Sequence, residues 1–226
     1  MCFNDVNGNA MTINQAVPFA NGMTKGLSGD TADMLQVMGD DGQYTNYFLS
    51  NGKYGKGGAS YSEEFDGKWL KSAGAANTDT ITTGQAFWYV SRGAATTPHT
   101  VTVAGAVLTS TSNPKDCALT YNLLANPYAC DVPINGGLVV TGTTKGLSGD
   151  TADMLQVMGS DGQYTNYFLS NGKYGKGGAS YSEEFDGKWL KSAGAANTDS
   201  IPAGASFWYV SRSQSGTVQL INPIEE

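Results

Sequence analysis

One segment of this chain occurs twice. Residues 24–92 and 144–212 align at a constant offset of 120 positions, and only six of the 69 aligned positions differ. Both segments begin Thr-Lys-Gly-Leu-Ser-Gly-Asp and end Phe-Trp-Tyr-Val-Ser-Arg. A period this long exceeds one solenoid unit and is typical of a whole domain. The sequence therefore predicts two near-identical domains in tandem along the 226 residues.

The flanks of the repeat match weakly and set the predicted domain boundaries. Residues 100–103 after the first block correspond to residues 218–220 after the second. Residues 109–114 are rich in Ser and Thr and end in Pro, a composition typical of a joint between domains. We therefore predict one domain over residues 1–112 and a second over residues 113–226.

The composition favours an all-β fold. Charged residues make up 15% of the chain, below the roughly 25% usual for globular domains, while glycine (30 residues) and tyrosine (12) are abundant. Short runs rich in strand-forming residues, at 34–38, 43–49 and 85–90, alternate with turn-forming residues. We expect further strands at 100–103 and 106–108. This spacing predicts two tandem, near-identical β-sandwich or small-barrel domains.

Glycines next to polar residues predict turns at 39–42, at 50–53 and at Asp66-Gly67. A helix over residues 30–38 is the alternative to a strand at 34–38, with Asp30 as its N-cap and Gly39 after its last turn. We prefer the strand because the apolar run is short and its neighbours are β.

Large aromatic side chains supply the predicted core, and two of them are adjacent. The candidates are Trp69, Phe87, Trp88, Phe65 and Phe48. Neighbours on a strand point to opposite faces, so only one of Phe87 and Trp88 can face the core. The other lies under a loop, at a domain joint or on an exposed binding surface.

Charge disfavours two classes of partner. The net charge is −7, the pI is about 4.6, and the chain has only two arginines. Nucleic acids and anionic membranes need a clustered cationic surface. No apolar run reaches the ~18 residues of a membrane span. The first residues lack a signal-peptide pattern, so we expect either a cytosolic protein or a mature form.

Residues suited to catalysis or metal binding are sparse. The single His99 has no counterpart in the second block, although a duplicated enzyme would carry its base twice. Acidic residues such as Glu63 commonly cap turns and keep a protein surface soluble, so they do not by themselves indicate a catalytic site. We therefore predict no enzyme activity.

Cys117 and Cys130 could close a short disulfide loop or remain buried thiols. The one cofactor we consider is calcium, with carboxylate ligands from both copies: Asp30, Asp33, Asp150 and Asp153.

Tyrosines and asparagines cluster in each copy in a pattern suited to sugar recognition. Flat aromatic faces stack on sugar rings, and amides bind hydroxyl groups. The candidate binding residues are Tyr44, Asn46, Tyr47, Tyr54, Tyr164, Asn166, Tyr167 and Tyr174. The alternative is that strand alternation turns half of the tyrosines inward and leaves the rest at an interface, and we favour this alternative.

Two motifs resemble a class of secreted, often repetitive bacterial β domains associated with cell surfaces. They are Asn-Leu-Leu-Ala-Asn-Pro-Tyr at 122–128 and Gly-Ala-Ser-Phe-Trp at 204–208. The resemblance covers most of the second predicted domain, and the opening motif is degraded in the first, at residues 3–9. It implies export, an extracellular or cell-surface location and a non-catalytic role.

Two functions fit these features. The favoured one is an extracellular structural subunit that assembles head to tail with copies of itself into a filament or surface array. Equivalent domains in series can use the same contact within a chain and between chains, and such head-to-tail contacts extend into a polymer unless the rotation closes them into a ring. The alternative is a bivalent carbohydrate-binding, lectin-like protein, in which two weak sites for glycans give avidity.

Overall fold

The chain divides into two compact units. The computed structural model describes residues 3–5, 7–39, 41–93, 100–159 and 161–224. The first unit comprises Cys2–Gly39 and Gln43–Ala106, and the second is built on Val107–Glu226. The point of division lies a few residues before the joint predicted at 109–114. Over the described ranges, no helix is long and apolar enough to cross a membrane.

The first unit contains one antiparallel sheet of four strands. Its elements are α1 (Ile13–Ala16), β1 (Met34–Met38), β2 (Tyr44–Tyr54), β3 (Ser60–Leu70) and β4 (Phe87–Val90). The strand order is β3-β2-β1-β4. The strand predicted at 34–38 is confirmed over the alternative helix. A capping box in which Thr12 and Gln15 exchange hydrogen bonds starts the single turn of α1.

The second unit contains more strands, in three sheets. Its elements are β5 (Ser112–Cys117), β6 (Thr120–Ala125), β7 (Val132–Pro133), α2 (Ile134–Gly137), β8 (Leu138–Val140), β9 (Met154–Met158), β10 (Tyr164–Tyr174), β11 (Ser180–Leu190), β12 (Ser200–Ile201), β13 (Ser206–Ser211) and β14 (Gly216–Ile221). The five-stranded sheet has the order β11-β10-β9-β13-β6, and the three-stranded sheet has the order β5-β14-β8. β12 and β7 form a separate pair.

A single core joins the two larger sheets of the second unit. Strand alternation turns Leu155 and Val157 of β9 inward, while Gln156 between them stays half-buried on the other face. Val218 and Leu220 of β14 pack in the same cluster as these β9 side chains. Full burial of such side chains contributes about 1.5–3 kcal/mol each. The unit is therefore a β-sandwich, and the predicted all-β fold class is confirmed.

Two predicted turns are wrong because their glycines form bulges inside strands. Residues 50–53 lie within β2, and Asp66-Gly67 lies within β3. Gly52 and Gly67 have φ values of +77° and +67°, and the pairing of β2 with β3 shifts register in this region. Positive φ favours glycine at a β-bulge as well as in a turn. The chain reverses instead around Lys56–Gly58.

Two predicted strands and the predicted joint also need correction. Residues 100–103 and 106–108 form no strand, whereas the corresponding part of the second unit is β14. The joint predicted at 109–114 overlaps β5. Pro114 is tolerated there because β5 is the outer strand of its sheet and leaves one side without ladder hydrogen bonds.

The aromatic side chains divide between core and surface as alternation requires. Trp69 is fully buried, and its indole N–H donates to the Val17 carbonyl oxygen at 2.7 Å. In the second unit Phe207 is 1% exposed, whereas its neighbour Trp208 is only half-buried on the opposite face. The prediction concerns Phe87 and Trp88, which are both half-buried, so burial separates the later pair and not the predicted one.

Candidate functional site

A row of aromatic and amide side chains crosses the outer face of the four-stranded sheet. Gln36 of β1 lies opposite Asn46 of β2 and Trp88 of β4. Residues directly opposite one another in antiparallel strands point to the same face. The Gln36 amide nitrogen donates to Asn46 Oδ1 at 3.1 Å, which fixes both amides.

Tyr44 extends this row along β2. The indole N–H of Trp88 donates to the Tyr44 hydroxyl oxygen at 3.2 Å, and the Tyr44 side chain is 40% exposed. The "aromatic–amide surface" of the first unit is defined as Gln36, Tyr44, Asn46 and Trp88. Its aromatic rings and amide groups lie side by side on one face of the sheet.

The second unit repeats the aromatic–amide surface. Its members are Gln156, Tyr164, Asn166 and Trp208. The Gln156–Asn166 bond is 3.1 Å long, and Trp208 donates to the Tyr164 hydroxyl at 3.3 Å. Tyr121 of β6 adds a third aromatic ring. It is 51% exposed, and its ring meets the Trp208 ring edge to face at a centroid distance of 5.9 Å.

A polar cavity adjoins each surface. The first, the Arg92 cavity, has a volume of about 440 Å³, and the second, the Arg212 cavity, about 450 Å³. Asn46 and Asn166 belong both to a surface and to the adjoining cavity. All lining residues of one cavity have counterparts 120 positions away in the other, so the two sites are chemically the same. Volumes of about 300–1,000 Å³ are typical of small-molecule sites.

The chain's only two arginines line these cavities. The Nε–H of Arg92 donates to the Gly29 carbonyl oxygen at 3.0 Å. Arg212 contacts the equivalent loop, with Nη2 2.5 Å from the Gly149 carbonyl oxygen. These bonds hold each guanidinium against the loop that carries the exposed Asp30 or Asp150.

A buried carboxylate holds the backbone beneath each arginine. Asp153 is fully buried and accepts hydrogen bonds from the Thr144 N–H at 3.1 Å, the Arg212 N–H at 2.8 Å and the Tyr209 hydroxyl at 2.8 Å. Asp33 accepts from the corresponding groups of the first unit. Burial and the neighbouring carboxylate raise the pKa of the Tyr209 hydroxyl above its usual range.

The four aspartates predicted as calcium ligands take two different positions. Asp33 and Asp153 are buried and accept several protein hydrogen bonds, while Asp30 and Asp150 are exposed at the cavities. Within the part of the chain that the structure describes, no three His, Cys, Asp or Glu side chains form a metal-binding group. A calcium site at these aspartates stays a prediction.

An ion pair with a tyrosine borders each cavity. The Lys71 ammonium lies 2.8 Å from Asp79 Oδ2, and the Tyr47 hydroxyl donates to the same oxygen at 2.7 Å. The Lys71 hydrogen bond, followed by that of Tyr47, lowers the pKa of Asp79. Burial, followed by the Asp79 hydrogen bond, raises the pKa of Tyr47 above its usual range. Lys191, Asp199 and Tyr167 repeat the arrangement.

The eight predicted binding residues fall into three groups. Tyr44 and Asn46, with Tyr164 and Asn166, lie on the aromatic–amide surfaces. Tyr47 and Tyr167 line the cavities but are only 4% exposed. Tyr54 and Tyr174 lie apart from both, and the Tyr54 ring packs edge to face on Phe65 at a centroid distance of 5.6 Å.

Other site residues do not stand out from the sequence. For Trp88, strand alternation allows an exposed binding surface as one of three positions, beside a position under a loop and one at a domain joint. Gln36 and Lys71 carry no sequence signal that separates them from other polar residues. Arg92 and Arg212 had one, because they are the only arginines and each ends a repeated block.

The predicted disulfide partners are free thiols in the structure. Cys117 is buried, and Cys130 is half-buried. Their pairing under oxidising conditions stays a prediction. His99 lies outside the described residues.

Comparisons with protein-family models, with curated proteins and with solved structures find no match to this chain.

Proposed function

We propose that this protein is a bivalent carbohydrate-binding protein with one site on each repeated unit. The observation that carries the proposal is the pairing, in both units, of a polar cavity with an aromatic–amide surface. The same residue types occupy the same strand positions in both sites. The four residues of each aromatic–amide surface therefore offer a ligand the same contacts in both units, and Tyr121 adds a ring in the second unit alone among the described residues.

The chemistry of the surface suits a sugar. The Tyr44 side chain is 40% exposed and the Trp88 side chain is half-buried, and aromatic rings of this kind stack on the C–H groups of a pyranose. Asn46 and Gln36 add amide groups that bind hydroxyls. The bond between the Trp88 indole and the Tyr44 hydroxyl keeps the two rings in place before the ligand arrives, which lowers the entropic cost of binding.

Two equivalent sites raise the apparent affinity for a multivalent target. A weak single-site interaction becomes avidity when both sites of one chain engage a glycan-bearing surface. We therefore place the protein outside the cell or at a cell surface, and we assign it a binding role without catalysis.

The test is a glycan array probed with the full chain. We expect binding to selected glycans, and we expect Trp88→Ala combined with Trp208→Ala to lower the affinity at least about tenfold, or about 1.4 kcal/mol. Tyr61→Ala with Tyr181→Ala is the matched control, because these tyrosines are 55% exposed on β3 and β11, away from the cavity linings.

Single-site variants separate affinity from avidity. Trp208→Ala alone should weaken binding to a dense glycan surface yet leave the solution affinity of the first site unchanged. Folded protein that binds no glycan, or a control variant that weakens binding as much as the tryptophan variants, refutes the proposal.

Self-assembly into a filament or surface array is the second proposed function, and one observation favours it. β3 and β11 have the same sequence and are the outermost strands of their sheets among the described strands. Outer strands can pair with another chain. The register shifts in β3 and the adjacent Glu63 and Glu64 act against such pairing, so this function ranks second.

Electron microscopy and sedimentation separate the two functions. Self-assembly predicts polymers of varied length whose formation depends on protein concentration. Replacing Ser62 of β3 and Ser182 of β11 with proline should shorten these polymers, because proline cannot donate to a new strand pairing. A monodisperse monomer at high concentration would exclude self-assembly and leave the sugar-binding proposal standing.

A further inference from the structure

We infer that each cavity binds a neutral sugar through two neighbouring hydroxyl groups, one held by the Asp30 carboxylate and the other by the Arg92 guanidinium. Asp150 and Arg212 do the same in the second unit. The inference rests on the proposed function and names the ligand class of the same site.

The charges that line the cavity nearly cancel one another. Lys71 and Arg92 are the two cationic lining residues, and Asp30 is the anionic one. Lys71 is already paired with Asp79 at 2.8 Å, and its counterpart Lys191 is paired with Asp199 at 2.6 Å. The remaining lining charges, on Arg92 and Asp30, are opposite in sign and leave the cavity close to neutral.

Hydrogen bonds fix the position of Arg92 relative to the loop that carries Asp30. The bond from Arg92 Nε–H to the Gly29 carbonyl holds the guanidinium against the residue that precedes Asp30 in the same loop. The buried Asp33 accepts the Arg92 backbone N–H at 2.6 Å, so the start of the arginine side chain is fixed as well. Asp30 and Arg92 therefore line one cavity from adjoining positions.

The hydrogen-bonding groups of Arg92 and Asp30 complement a pair of sugar hydroxyls. A guanidinium only donates hydrogen bonds, and it has five N–H groups, so Arg92 keeps donors beyond the one given to Gly29. A carboxylate only accepts them. Neighbouring sugar hydroxyls can donate one bond to Asp30 and accept another from Arg92, which satisfies both residues.

The negative charges around the cavity disfavour acidic sugars. A ligand carboxylate or sulfate bound to Arg92 would also face the Asp30 carboxylate, and the buried Asp33 carboxylate lies beneath the Arg92 backbone. Like charges held close together are unfavourable. The net charge of −7 adds a general repulsion for anions.

The experiment compares glycans in solution against the full chain at physiological salt. The probes are neutral oligosaccharides ending in galactose, glucose, mannose or N-acetylglucosamine, together with uronic-acid and sulfated counterparts. We expect the acidic counterparts to bind at least about tenfold more weakly. Mild periodate, which cleaves the bond between neighbouring hydroxyl-bearing carbons, should abolish binding of the neutral probes.

Matched variants test the two aspartates. Asp30→Asn with Asp150→Asn keeps the side-chain size and removes the two charges. We expect about tenfold weaker binding of neutral glycans and a smaller difference between neutral and acidic ones. Glu63→Gln with Glu183→Gln removes the same number of charges at exposed positions outside the cavity linings and should change neither value.

Three results overturn the inference in distinguishable ways. Equal or tighter binding of acidic glycans refutes it and leaves the proposed function intact. Binding that EDTA removes and calcium restores refutes the direct contact and assigns the aspartates to a calcium ion. The absence of any glycan binding refutes the proposed function together with the inference.

Discussion

Replacing the buried Asp153 by alanine tests how the Arg212 cavity is built. The Asp153 carboxylate is 0% exposed and accepts three hydrogen bonds, from the Thr144 and Arg212 backbone N–H groups and from the Tyr209 hydroxyl. Alanine removes the acceptor, so the three donor groups stay in the structure without their hydrogen-bond partner. The Tyr209 hydroxyl has the most buried of the three bonds.

The magnitude follows from the burial of each donor. A buried donor left without a partner costs about 1–3 kcal/mol, and this full penalty applies to the Tyr209 hydroxyl. The two backbone donors form part-buried bonds, so water can replace part of each, at about 1 kcal/mol apiece. We therefore expect Asp153→Ala to lower the free energy of unfolding by about 3–5 kcal/mol. Asparagine keeps one acceptor oxygen and should cost about 1–2 kcal/mol.

Urea denaturation followed by tryptophan fluorescence measures the effect. A pure loss of stability lowers the transition midpoint without changing the slope of the free energy against urea concentration. Asp150→Ala is the control, because this aspartate is three positions away and exposed, and it should change stability by less than about 0.5 kcal/mol. A cost below about 1 kcal/mol for Asp153→Ala, or an equal cost for the control, would contradict the role of this carboxylate.

Two further predictions concern acid stability and the β-bulges. Hydrogen bonds from Lys71 and Tyr47 lower the pKa of Asp79 in the folded protein. The stabilisation from the ionised Asp79 is therefore complete above its unfolded pKa of about 3.9, and it is lost as the pH falls through the lower pKa of the folded state. Asp79→Asn combined with Asp199→Asn should therefore reduce the pH dependence of the unfolding free energy below about pH 4. Urea titrations at several pH values measure this dependence, and an unchanged slope of unfolding free energy against pH would count against these ion pairs. Gly52→Ala should cost about 1–3 kcal/mol by thermal denaturation, because φ is +77° and the new Cβ would lie 2.4 Å from the Tyr61 ring, and a neutral effect would show that the bulge relaxes.

The strands were predictable where local pattern and tertiary contact agree. The run 34–38 is short, apolar and surrounded by other strand-forming runs, and it forms β1. The glycines at 52 and 67 misled the turn prediction, since positive φ serves a turn and a bulge equally well. Only the pairing of β2 with β3 distinguishes the two.

The residue types of the proposed site could be predicted from the sequence, and their arrangement could not. The sequence placed Tyr44 and Asn46 among binding candidates because of their chemistry. It could not separate them from Tyr54, which packs on Phe65, since that choice depends on contacts between strands. Gln36 joins the surface only because register places it between Asn46 and Trp88.

The sequence by itself determined that the cavity lining is present twice, because the two segments that carry it differ at only six of 69 positions and all of its residues recur 120 positions later. It also determined the all-β class, through composition and short alternating runs. Only the tertiary structure decided that Arg92, Asp30 and Asn46 line one cavity, because they come from separate segments of the chain. Strand register and hydrogen bonds to a buried carboxylate fix such neighbours, and neither is encoded in any local stretch of residues.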